Sequence, residues 1–292
     1  MLGFLAAALL TASPDSLVVT TGWLAAHRGD PDLVILHVAM DRGDYDRGHI
    51  PGARWLNPHE LLSMAPPGSE LPSAEHIDSV LGALGIGPGT RVVYYGDTWM
   101  SPRVFLALEY VGLGDHASWL DGGLPLWRKE QRPLSTDAPT WTPGHVEARA
   151  HPDIVVDATS LRAQLESPRL LLVDGRSPGE YSGTDHSERL PRSGHIPGAV
   201  NLPWERTFTD GAAALDGTPS LLQSREVLRK LFTDAGFTDG RELVTYCTVG
   251  LRASHLYFIA RYLGYRPRLY DGSMSEWSRK QELPMVSGPN PH

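Results

Sequence analysis

The hexapeptide Gly-His-Ile-Pro-Gly-Ala occurs twice in the chain, at residues 48–53 and 194–199. An acidic residue and a tyrosine precede each copy, Asp44-Tyr45 in the first and Glu180-Tyr181 in the second. A second motif follows in the same order: Leu120-Asp-Gly-Gly-Leu-Pro-Leu-Trp127 is answered by Tyr270-Asp-Gly-Ser-Met-Ser-Glu-Trp277. Two different motifs recurring in one order mark a tandem duplication. Whatever architecture suits one half must therefore be built twice, and 292 residues suffice for two domains of roughly 150 residues each. The second copy differs by a polar insert, SGTDHSERLPRS, between Tyr181 and the hexapeptide.

The halves read as residues 16–130 and 153–284. Between them, residues 131–152 are rich in proline and threonine and lack sustained periodicity, which is the composition of a linker. The tail, residues 285–292, is expected to be disordered or loosely attached. Residues 1–15 contain an apolar run of signal-peptide length, with small residues near Ala12 and Ser13 but no Lys or Arg ahead of it. Two readings stay open: a cleaved leader of a periplasmic or exported protein, or the ordinary start of a cytoplasmic one. The run is too short to span a bilayer and no other segment approaches spanning length, so no membrane association is expected.

Each half alternates strand-like and helix-like runs. Residues 170–173 and 243–246 are short apolar runs suited to strands buried on both faces. Residues 221–232 have helical spacing, and so do residues 253–263, which Gly264 can terminate. Short buried strands alternating with helices imply an α/β fold, twice over, each half a mostly parallel sheet flanked by helices.

A net charge of -8 without a block of Lys and Arg argues against nucleic-acid binding. The chain has one cysteine, Cys247, which rules out an internal disulfide and a multi-cysteine zinc or iron–sulfur site. That cysteine sits in Thr245-Tyr-Cys-Thr-Val-Gly-Leu-Arg-Ala-Ser254, between a strand run and a helix run. In open α/β sheets, ligands gather beyond the carboxyl ends of strands. A helix start there offers unpaired N–H groups and a positive dipole end, which stabilise a thiolate. Gly250 lets the loop turn tightly enough for several amides to converge, and Arg252 adds a positive charge. Cys247 is thus expected to be a working thiol rather than a buried apolar filler.

Taken together, the paired hexapeptides and a cysteine loop confined to the second half resemble the two-domain rhodanese sulfurtransferases of the thiosulfate/3-mercaptopyruvate type. The resemblance covers the chain from about residue 16 onward. It implies two rhodanese-like domains, each a five-stranded parallel sheet flanked by helices. The family's catalytic cysteine maps onto Cys247, and its substrate-binding loop onto Thr248, Val249, Gly250, Leu251 and Arg252. The implied chemistry is transfer of a sulfane sulfur from a small donor to Cys247, giving a persulfide, and then to cyanide or a thiol. It needs no metal and no organic cofactor. Cell-cycle-type cysteine phosphatases share the architecture but place five residues between cysteine and arginine. Here there are four, a shorter ring that suits sulfur better than a phosphoryl group.

The first half serves as an internal control. Gly96 and Asp97 stand where the second half has Cys247, so this half lacks a thiol nucleophile. Trp99 and Arg103 could line the cleft between the halves, although a core tryptophan and a surface salt bridge are the plainer expectations. His49 and His195 occur in both copies, while only one copy has a nucleophile. They are expected to position a turn rather than move protons. Asp174 and Arg176 end another buried strand, either orienting the loop or forming a structural ion pair, with the latter preferred.

The donor is less directly written. The loop carries neither the basic residues of thiosulfate-type loops nor the Gly-Ser-Gly of the 3-mercaptopyruvate type. Glu180 falls where both types place an arginine that holds the substrate anion. Arg252 is expected to supply part of that charge, which favours thiosulfate as donor. The alternatives are 3-mercaptopyruvate, or a non-enzymatic persulfide carrier or sulfide-responsive partner protein.

Overall fold

The first half builds strands β1 (Val18–Val19), β2 (Leu33–Val38), β3 (Ala53–Leu56), β4 (Arg91–Gly96) and β5 (Ala117–Leu120). The second builds β6 (Val155–Val156), β7 (Leu170–Asp174), β8 (Val200–Asn201), β9 (Glu242–Tyr246) and β10 (Arg268–Tyr270). This computed structural model describes residues 17–63, 70–210 and 218–291; the leader candidate lies outside them. Every strand pairs in parallel, in the orders β1-β5-β4-β2-β3 and β6-β10-β9-β7-β8, so the duplication is complete at the level of topology. Strands β4 and β9 are central and buried, which is why they read as uninterrupted apolar runs.

The hexapeptides do the same work in both halves. Each histidine is fully buried and stacks on the tyrosine before it, with ring centroids 3.7 Å apart in both Tyr45–His49 and Tyr181–His195. Each histidine Nδ1 lies against that tyrosine's carbonyl, at 2.9 Å for His49 and 2.8 Å for His195. The tyrosine hydroxyls donate to Ala53 O and Ala199 O, closing the turn. Both histidines thus hold the hexapeptide turn through the same stacking and hydrogen bond.

Two segments expected to be loose are anchored. In the linker, His49 and Ser135 exchange backbone hydrogen bonds of 2.9 Å each. In the tail, Val286 does the same with His195, and Gly198 N–H donates to Pro291 O at 2.7 Å. These segments occupy equivalent places after each copy, sealing the hexapeptide turn by backbone pairing that their polar composition does not announce. One helix also shifts. The spacing at 221–232 gives way to Arg225–Asp234, because the Ser224 side chain caps Val227 N–H while Leu222 bridges Phe208.

Helices Ser101–Tyr110 and Leu251–Tyr262 follow β4 and β9 and pack on each other between the halves. Both are buried along most of their length, so neither is amphipathic. Phe105 meets Phe258 edge-on at 5.0 Å, and Tyr94 and Trp119 extend the cluster from the first sheet. One apolar core runs through both halves. Arg261 ties the far end of this seam to Glu109, with Nε 2.7 Å from Oε1.

Candidate active site

Strand β9 ends at Tyr246 and delivers Cys247 to the seam between the two helices. Gly250 adopts φ +83° and leads directly into helix Leu251–Tyr262, two residues earlier than the apolar spacing implied. A side chain at Gly250 has no room: a Cβ would lie 2.6 Å from Asp271 Oδ1 and 3.3 Å from Arg103 Nη1. The loop is clamped from the β10 side. Cys247 N–H donates to Ser273 Oγ (3.1 Å), Met274 N–H donates to Cys247 O (3.0 Å), and Ser275 N–H donates to Thr248 O (2.8 Å). Ser273 sits at φ +50°, a strained angle held by the bond from its hydroxyl to Tyr270 O. Cys247 exposes none of its surface.

Three buried or partly buried guanidinium groups of this region, those of Arg252, Arg176 and Arg103, are each taken by a carboxylate. Arg252 donates from Nη1 to Glu180 Oε2 (2.7 Å) and from Nη2 to Glu180 Oε1 (2.8 Å) and Thr248 Oγ1 (2.6 Å). Thr248 Oγ1 in turn donates to Glu180 Oε1 at 3.0 Å. The expectation that Arg252 lends its charge to an anion thus meets a carboxylate already in place. Burial alone would raise the Glu180 carboxyl. The hydrogen bonds and charge of Arg252, with Ser177 N–H and the Thr248 hydroxyl, outweigh it and bring Glu180 down to about 2. Burial likewise opposes the charge on Arg252, but Glu180 and the proximity of Cys247 hold that guanidinium above its usual range.

Asp174 and Arg176 form the second pair, fully buried, with Arg176 Nη2 2.6 Å from Asp174 Oδ2 and 2.8 Å from Gly194 O. The two side chains form an ion pair that joins the end of β7 to the hexapeptide turn. His195 lies in that turn against Tyr181, and among the described residues its hydrogen bonds run to Tyr181 and Val286 rather than to the cysteine loop. Arg103 and Asp271 form the third pair, across the two halves. The surface salt bridge expected for Arg103 is instead a buried one, because its helix lies in the seam rather than on the outside. Trp99 is half-buried and joins Leu62 and Met100 in an apolar cluster with Val249 and Leu251 of the cysteine loop. The first half therefore forms one wall of the loop.

The control holds in atomic terms. Tyr95 and Tyr246 are equivalent, each hydroxyl accepting from the hexapeptide isoleucine amide: Ile50 N–H donates to Tyr95 Oη at 3.0 Å and Ile196 N–H donates to Tyr246 Oη at 3.2 Å. The next residue is Gly96 in one half and Cys247 in the other. Gly96 has φ +141°, and a Cβ there would overlap Val38 O, so no cysteine could occupy that position without moving β2.

Residues 20–130 and 157–280 match the rhodanese-like domain. The chain belongs to the rhodanese-like family. The sulfur carrier protein TtuD of Thermus thermophilus is 35% identical over 294 residues, covering 95% of this chain and 98% of that protein. The thiosulfate sulfurtransferase of Azotobacter vinelandii is 33% identical over 274 residues, covering 92% and 96%. The crystal structure of SseA from Escherichia coli, described as showing the rhodanese fold of 3-mercaptopyruvate sulfotransferases, superposes with a TM-score of 0.76. At 24% identity over 88% of this chain and 98% of that one, it shows the shared fold. By family the chain is a sulfurtransferase on two rhodanese-like domains, with its single thiol in the second.

Sequence reasoning overlooked two contributors to this rhodanese site, Asp271 and Ser273. The signal was available, since both lie in the duplicated motif at 270–277. Its recurrence was legible, but its contact with the cysteine loop depends on β10 lying beside β9. Among the described residues, no helix is long and apolar enough to cross a membrane.

Proposed function

We propose that this protein moves a sulfane sulfur from thiosulfate, through a persulfide on Cys247, to cyanide or a thiol. One observation carries the reading: the single thiol stands at the carboxyl end of the central strand β9, on a glycine turn that opens into a 12-residue helix. Amides of Thr248 to Arg252 and the helix start favour negative charge beside the sulfur. The Cys247 thiolate attacks the terminal sulfur of thiosulfate, a new S–S bond forms, the old one breaks, and sulfite leaves with the electron pair. Cyanide then attacks the outer persulfide sulfur, giving thiocyanate and regenerating the thiolate. A thiol acceptor becomes the persulfide in the same way. Thr248, Val249, Gly250, Leu251 and Arg252 shape the donor's seat. Asp174 and Arg176 tie the end of β7, which lies beside β9, to the hexapeptide turn that His195 positions.

A carrier reading is favoured by the complete burial of Cys247, which suits protection of a loaded sulfur. Steady-state turnover separates the two, and thiosulfate and 3-mercaptopyruvate assayed on one sample separate the donors. Thiosulfate turnover at many cycles per site, with one extra sulfur on Cys247 by mass spectrometry, supports the enzyme. Cys247→Ser, nearly isosteric but a poor thiophile, should abolish transfer; a tenth of wild-type turnover in that variant would remove Cys247 from the mechanism. A single slow cycle would make the protein a carrier.

A further inference from the structure

Arg252 is the second residue of the helix that the cysteine loop opens into. Its two terminal nitrogens are engaged by both carboxylate oxygens of Glu180, and Thr248 closes the triangle. Glu180 itself is held from its other side. It is the third residue of helix Pro178–Ser182, where Ser177 caps Glu180 N–H and Glu180 Oε2 accepts from Ser177 N–H at 3.2 Å. The carboxylate is therefore fixed by a capping box before Arg252 meets it. Arg176 and Arg103, two further buried guanidinium groups, are engaged by Asp174 and Asp271. The charge of Arg252, the guanidinium of the loop itself, is thus cancelled by Glu180, leaving amide dipoles as the loop's own attraction for an anion.

From this arrangement we infer that Glu180 is a specificity-determining residue: by neutralising Arg252, it weakens the site's hold on dianions such as thiosulfate relative to donors with one negative charge, so that its removal shifts preference towards thiosulfate. Backbone dipoles carry partial charges and compensate a second full charge poorly, whereas an unpaired guanidinium supplies a charge-assisted, bidentate partner. Thiosulfate remains a donor, seated by amides alone. The inference rests on the reading that Cys247 carries the sulfur.

The test compares two donors with the same terminal sulfur and different charge, thiosulfate (dianion) and benzenethiosulfonate (monoanion). Attack on the second breaks its S–S bond and releases benzenesulfinate, so the persulfide product on the enzyme is identical. Glu180→Gln keeps an oxygen for the capping box and removes the charge; Glu180→Ala frees Arg252 further. The thiosulfate-to-benzenethiosulfonate ratio of kcat/KM should rise about tenfold in Glu180→Gln, the scale of one charge-assisted hydrogen bond, and further in Glu180→Ala. Thiosulfate turnover by the variants should also fall more steeply with added salt. If both donors change together and the ratio stays within twofold, Glu180 only caps its helix and the inference fails while sulfur transfer stands. If neither donor adds sulfur to Cys247 in the unaltered protein, the functional reading itself fails and takes the inference with it.

Discussion

Arg103, in the half without a cysteine, donates two hydrogen bonds to Asp271 in the half that has one, Nη1–Oδ1 at 2.6 Å and Nη2–Oδ2 at 2.9 Å. Both side chains are buried, and both touch the space that a Cβ on Gly250 would need. Asp271 Oδ2 also accepts from Leu71 N–H at 2.6 Å, a second bond across the halves. The duplicated partner of Asp271 is Asp121, whose Oδ1 accepts from Leu222 N–H at 2.9 Å. Each half thus reaches into the other through the same repeated aspartate. The symmetry is broken at the guanidinium: Arg103 reinforces only the clamp beside the cysteine loop. Without such help, burial pushes the Asp121 carboxyl up, outweighing the amide bonds it accepts.

Removing one member of this buried pair should be costly. Arg103→Ala leaves Asp271 charged and buried, and is expected to lose about 3–5 kcal/mol of stability in urea titrations. Adding Asp271→Asn to that variant removes the stranded charge and should recover a large part of the loss. Equal stability of the single and double variants would show that the two residues are not energetically coupled.

Arg252→Ala should slow sulfite release from thiosulfate in a stopped-flow burst by about 10- to 100-fold, the scale of one unbalanced charge near a reacting anion. The reason is that the Glu180 carboxylate is then left unpaired beside the loop and repels the incoming anion. Arg252→Ala with Glu180→Ala restores charge balance and should regain most of the rate. A double variant as slow as the single one would mean that the arginine charge, rather than the balanced pair, is what the reaction uses.

Acid should erase the contribution of Glu180 to stability. Its carboxyl is lowered from 4.5 to about 2 in the folded protein, so the unfolded chain binds the proton first as pH falls. A depressed group contributes fully above its unfolded value and loses that contribution as pH falls through the folded one. Glu180→Gln should therefore melt below wild type at neutral pH, and the gap in Tm should narrow from about pH 4.5 towards pH 2. A gap independent of pH across that window would show that the Arg252 ion pair adds no stability.

The paired hexapeptides, the strand runs at 170–173 and 243–246, and the glycine turn after Cys247 were legible in the chain because their causes are local. A histidine stacked on the tyrosine before it, a buried strand and a helix start each depend on residues close in sequence. The tail and linker were not legible as anchored segments, since their hydrogen bonds run to turns far away along the chain.

The same division applies to the site. By itself the sequence determined the α/β duplication, the asymmetry of one cysteine in two copies, and the placement of Cys247 between a strand and a helix. Only the tertiary structure decided the electrostatics of that loop. Glu180 and Arg252 lie 72 positions apart, and Arg103 and Asp271 lie 168 apart. A guanidinium read from sequence is simply a positive charge. Whether it can meet a substrate anion depends on which carboxylate the fold brings against it, and in a duplicated chain that partner can come from either copy.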